Sequence, residues 1–139
     1  MAIKQLSVFV ENKPGKLLEI VKSLAEAEIN IRAMSIADTK DFGILRLIVS
    51  DTDKAKDILS DDCVVTVTQV IAVEMSDKAG SLSKVLDAFG EADINIEYMY
   101  AFTASTELGA YVVIRVDDNE AAQKVLCEKG IATLDISAI

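Results

Sequence analysis

Residues 3–11, IKQLSVFVE, alternate apolar and polar in the two-residue period of a half-buried strand. From Leu17 the period changes: Leu17, Ile20, Val21 and Leu24 recur at helical spacing. INIRAMSIA (29–37) and GILRLIVS (43–50) then read as two strands joined by DTKDF. Acidic residues open a short helix expected over about 51–60, and CVVTVT (63–68) closes the unit as a strand.

The same order runs again, with elements expected at 70–75, 80–92, 94–104, 109–116, 117–128 and 130–137. Leu82, Val85, Leu86 and Phe89 repeat the first helical stripe position for position. Residues 6–31 moved forward by 65 fall on 71–96 with nine of 26 positions identical. Chance would give roughly two. Further on, an offset of 66 pairs Gly43 with Gly109 and Asp51 with Asp117, and 67 pairs Ile58-Leu59 with Val125-Leu126. The chain is therefore read as two tandem domains, 1–69 and 70–139. Each is expected to be an α+β, ferredoxin-like βαββαβ unit, an antiparallel sheet with both helices on one face. The stretch VVTVTQVIAVE (64–74) holds no breaker residue, so one strand is expected to pass almost directly into the next, bending near Gln69.

Where each first strand gives way to a helix, a short turn carries Gly15 or Gly80. Glycine there supplies a positive φ or room for a group to approach the backbone. Asn12 and Asp77 are followed three residues later by those glycines, so no capping-box carboxylate reaches back. Helix-start amides left free in this way favour a carboxylate. Asn30 and Asn95, each between two isoleucines at a strand start, are expected to point away from the core. Their amides suit an amino group, a carboxylate or an inter-domain contact.

Composition narrows the chemistry. The chain has no histidine, which removes the usual general base, the commonest metal ligand and the histidine-dependent nucleophilic constellations. It has no glycine-rich phosphate loop, and its two cysteines form no CxxC pair. DTDKAKDILSDD (51–62) resembles a calcium loop in its acids, but Ala55 and Lys56 stand where a ligand and a glycine are needed. Helix capping explains the acids better. No catalytic residue, cofactor or metal is assigned. A net charge of −9 argues against nucleic-acid or anionic-membrane partners. No apolar run is long enough to span a bilayer and the N-terminus lacks a signal-peptide layout, so a cytoplasmic location is expected.

NKPGKL followed by INI, and DKAGSL followed by INI, resemble the ACT domain, a small regulatory ligand-binding module, in two tandem copies over essentially the whole chain. The resemblance implies a non-enzymatic protein that binds a free amino acid at inter-domain or inter-subunit interfaces. With no catalytic domain appended, it would regulate an enzyme of amino-acid metabolism in trans. It implies ligand contacts from Asn12, Gly15, Lys16, Leu17 and Asn30 in the first copy. In the second they come from Asp77, Gly80, Ser81, Leu82 and Asn95. Ala79 replaces Pro14 and Asp77 is acidic, so the two sites are expected to be unequal. A homodimer is expected, because apolar edge strands invite pairing. Two alternatives stand beside this reading: an acetolactate-synthase-type regulatory subunit acting through partner contacts, and a purely structural dimerisation module. Tyr98, Tyr100 and Phe102 alternate in one strand and are read either as core beneath the helices or as the wall of a pocket.

Overall fold

In a computed structural model, which describes residues 2–38, 41–76, 78–103 and 109–135, strand β1 (Ile3–Glu11) leads into helix α1 (Lys16–Glu26). Strands β2 (Ile31–Asp38) and β3 (Phe42–Val49), helix α2 (Thr52–Leu59) and strand β4 (Val64–Met75) follow. Helix α3 (Ser81–Glu91), strands β5 (Ile96–Thr103) and β6 (Ala110–Val116), helix α4 (Asn119–Glu128) and strand β7 (Thr133–Leu134) complete the order. The chain divides into two units, Lys4–Thr68 and Gln69–Ile139, the latter joined by Met1–Ile3. They are called the first and second modules below.

In the first module the strand order is β2-β3-β1-β4, and in the second β5-β6-β4 with β7 on the other side of β4. Strands β1 and β2 pair antiparallel with β3, β5 with β6, and β6 and β7 with β4. Both modules are thus α+β and ferredoxin-like. Strand β4 is unbroken from Val64 to Met75 and serves both modules. Within the second module the Gln69 carbonyl accepts from Arg115 Nη1 (2.8 Å) and Asn119 Nδ2 (3.3 Å).

Each core lies between the sheet and its helices. Leu6, Val8, Leu45 and Leu47 meet Ile20, Leu24 and Leu59 in the first module. Ile71, Val73, Val112 and Ile114 meet Val85, Phe89 and Leu126 in the second. Their buried side chains alternate with those of the other sheet face, as the strand pleat requires.

Both long helices stop in the same way. Ile29 N–H donates to the Leu24 carbonyl (2.9 Å) and Glu28 N–H to that of Ala25 (3.0 Å). Ile94 repeats the first bond to Phe89 (2.9 Å) and Asp93 the second to Gly90 (3.2 Å). This is a Schellman motif, and it puts Glu28 and Asp93 in the left-handed region, each at φ 57°. The first isoleucine of each INI thereby drops into its core.

The strand registers correct the expected offset. Val8 pairs with Leu45 and Val73 with Val112, so the shift is already 67 at the third strand of each module. Gly43 therefore corresponds to Ala110, not Gly109. Asp51 corresponds to Asp118, not Asp117, and each of those two caps its helix: Asp51 accepts from Lys54 N–H and Asp118 from Ala121 N–H, both at 3.1 Å. Both added residues fall in the connection between β5 and β6.

The aromatic row is corrected as well. A bulge between Ile96 and Tyr98 reverses the alternation, so Met99 joins Ile96 on the helix side. Tyr98, Tyr100 and Phe102 consequently lie opposite Arg115, Val113 and Tyr111 on the helix-free face, not beneath the helices. Phe102 stands edge-on to Tyr111 with ring centroids 3.9 Å apart.

Candidate ligand-binding turns and clefts

Gly15 adopts φ 86° and Gly80 φ 88°, each as the residue before its helix, and neither helix start receives a side-chain cap. Lys16 N–H closes back onto the Lys13 carbonyl (3.3 Å) and Glu19 N–H onto that of Gly15 (3.0 Å). The Leu17 and Leu18 amides lie in the first helical turn, among the N–H groups for which a helix supplies no intrahelical carbonyl. A side chain at Gly15 would meet nothing within 4 Å, so the turn's outer surface is open. In the second module Ser81 N–H bonds the Lys78 carbonyl (3.2 Å), and the Gly80 carbonyl accepts the Ser83 hydroxyl (2.7 Å).

Asn12 is exposed, and its N–H reaches the Asp41 carbonyl (3.3 Å). Lys16 is half-buried, with Nζ 3.6 Å from Glu19. Leu17 packs against the first core, whereas Leu82 is 37% exposed. The Ser81 and Ser76 hydroxyls bond each other. Asp77 lies outside the described residues. Lys13 sits 2.9 Å from Glu11, and its hydrogen bond and charge hold the Glu11 carboxyl below its usual range.

Asn30 and Asn95 are exposed, while Ile29 and Ile94 beside them are buried. Asn30 N–H donates to Ser50 Oγ (2.9 Å), and Asn95 N–H to Asp117 Oδ1 (3.3 Å). Ser50 and Asp117 each return a backbone bond to the asparagine carbonyl. Within a module the glycine turn precedes the helix and the asparagine follows it. The 11 residues of α1 therefore set Gly15 and Asn30 about 16 Å apart.

Two clefts not anticipated from the sequence occupy matching places beside these turns. The first, of about 240 Å³, lies where β1 ends, α1 begins and α2 hands over to β4. Phe9, Ile20, Phe42, Ile58, Leu59 and Val64 supply its apolar lining, with Glu11, Lys16, Glu19, Asp62 and Cys63 among the polar groups. Burial, then the Asp62 charge, pushes the Cys63 thiol up. The second cleft, of about 450 Å³, is lined by Glu74, Ser76, Ser81, Lys84 and Val85 among others. Neither cleft is lined by Tyr98, Tyr100 or Phe102. The sequence signal for the first was Phe42, an aromatic residue at the edge of a polar loop.

Among the described residues no group of three or more His, Cys, Asp or Glu side chains is placed to hold a metal ion. No helix there is long and apolar enough to cross a membrane.

The chain matches the ACT domain pair over residues 1–137. It belongs to the ACT domain family. The chain is similar to a protein from Bacteroides thetaiotaomicron whose crystal structure is solved, at 43% identity and a TM-score of 0.90, covering 96% of this chain and 92% of that one. The fold is also similar to the ligand-free regulatory subunit of aspartate kinase from Thermus thermophilus. That match has 16% identity and a TM-score of 0.64, covering 90% of this chain and 91% of the other. Aspartokinase alpha and beta subunits give 20% identity and a TM-score of 0.61, with 90% of each chain covered. No curated protein matches the ACT pair described here.

Proposed function

We propose that this ACT pair binds a free amino acid and, without catalysing a reaction itself, regulates an enzyme of amino-acid metabolism in trans. The observation that carries the reading is the twinned turn: two left-handed glycines, at φ 86° and 88°, each opening a helix with no side-chain cap. Free amides at the positive end of a helix suit the ligand carboxylate. An exposed asparagine amide suits the ammonium or the second carboxylate oxygen. The fold likeness to an aspartate-kinase regulatory subunit fits a regulatory role.

Gly15 and Asn30 stand too far apart in one module to share a small ligand. The proposed site therefore joins the turn of one module to the strand start of another, at an inter-domain or inter-subunit interface. A homodimer of four modules is the assembly proposed. Ligand binding there would bias how modules dock, which is how the signal would reach the enzyme.

A thermal-shift panel of the twenty amino acids tests this. A ligand at 100 times its dissociation constant adds about 2.7 kcal/mol, or several degrees for a chain of this size. Gly15→Leu is expected to remove the first-module share of a selective shift, because a branched side chain would cover the open face of the turn. A flat panel, or a shift indifferent to both Gly15→Leu and Gly80→Leu, rejects the reading.

A further inference from the structure

We propose that the cleft of the first module is a separate binding site for a small organic cation with an apolar body, an alkyl- or arylammonium. Of the first-module residues assigned to the amino acid, Lys16 alone lines this cleft, and the proposal does not rest on the amino-acid reading, since Asn12, Gly15, Leu17 and Asn30 stand outside it. Its volume of about 240 Å³ equals the share of about eight waters in the liquid, the scale of a small metabolite.

The apolar body is argued from exposure. Phe9, Phe42 and Val64 line the cleft yet are 45%, 52% and 65% exposed. One exposed apolar residue is ordinary, but three around a single concavity form a patch that an apolar guest would cover.

The cationic head is argued from the rim. Glu11 is held by Lys13 at 2.9 Å, and Lys16 by Glu19 at 3.6 Å. Asp62 has no ion-pair partner among the described residues, so one negative charge is left at the mouth. Coulomb attraction there favours an ammonium and disfavours a carboxylate.

The second module shows that the fold requires none of this. By the strand register, Phe9 corresponds to Glu74 and Phe42 to Gly109. Along the first helix of each module Glu19 corresponds to Lys84, and the second cleft has Gly130, Ile131 and Ala132 where the first has Asp62, Cys63 and Val64. The aromatic lining is gone, one acid has become a base and the acid at the mouth has become a glycine. The chemistry of the first cleft is therefore a property of its residues, beyond what packing the module demands.

The test titrates the full chain by amide NMR with three probes that share one body: 3-methylbutylamine, 3-methylbutanol and 3-methylbutyrate. Saturable shifts are expected at Lys16, Ile58, Leu59 and Cys63 and not at Cys127, with affinity falling from amine to alcohol to carboxylate. Asp62→Asn is expected to weaken the amine about two- to fivefold, the range of an exposed ion pair, and to leave the alcohol unchanged. A purely structural role for Asp62 would move both probes together. Absence of saturable shifts at those amides overturns the site. A carboxylate that binds as well as the amine, or an amine indifferent to Asp62→Asn, overturns the cationic assignment.

Discussion

The two modules agree in backbone and disagree in surface. Their glycine turns differ by only a few degrees, at φ 86°, ψ −12° and φ 88°, ψ −6°. Their second strands bulge at matching places, between Ile31 and Ala33 and between Ile96 and Tyr98. On the helix-free face, however, Ala33, Ser35 and Ala37 of the first module stand where the second has Tyr98, Tyr100 and Phe102. The clefts diverge as far, from an aromatic, acid-rimmed hollow to one with serines and a lysine. What repeats is the backbone geometry of an uncapped helix start. What differs is the side chains around it.

The widest test of this likeness lies in the cores. Leu24 and Phe89 occupy the same place, each fully buried and each accepting the bond that stops its helix. Phe89→Ala is expected to cost about 3–5 kcal/mol and Leu24→Ala about 2–5 kcal/mol, from lost transfer energy plus a cavity. Urea unfolding followed by circular dichroism reads both. A small cost at only one of them would show that the modules carry the stop differently, and the equivalence would break at its centre.

The duplication, the element order and the uncapped turns were legible because they depend on residue type at fixed spacing. The aromatic row was not. Strand period groups Ile96 with Tyr98, Tyr100 and Phe102, and only a bulge, which leaves no mark in that pattern, moves the last three to the other face. The offset misled for a different reason. Gly43 and Gly109 match in identity, but the ladder sets Gly43 against Val10 and Ala110 against Met75. The clefts escaped notice because each gathers residues from several elements, a proximity that no local window contains. The spacing of Gly15 and Asn30, by contrast, was implicit in the length of α1.

The corrected equivalence makes a mid-sized prediction. Asp51→Ala and Asp118→Ala should each cost about 1 kcal/mol, the usual loss of a helix N-cap, read as a lowered urea midpoint. Asp117→Ala should cost less, since its carboxylate makes a 3.3 Å bond to the exposed Asn95 N–H and caps no helix. If Asp117 carried the larger loss, the register-based pairing of Asp51 with Asp118 would be wrong in energy, whatever the geometry.

The smallest expected effect is a gain, and it tests the same motif in both modules. Glu28 and Asp93 sit at φ 57°, a conformation that costs a residue with a Cβ about 1–2 kcal/mol. Replacing either by glycine removes that strain but frees the unfolded chain by about 0.4–1 kcal/mol. A net gain of about 0.5–1 kcal/mol follows for Glu28→Gly and for Asp93→Gly. The protein itself uses this solution elsewhere: α4 ends in the same bonding pattern with Gly130 at φ 70°. Each variant should therefore raise the melting temperature by roughly 2–3 °C. A loss at both sites would mean that the two carboxylate side chains stabilise their helix ends by more than the left-handed backbone costs. A gain at one alone would mark the stop in which side chain, not backbone, has taken over.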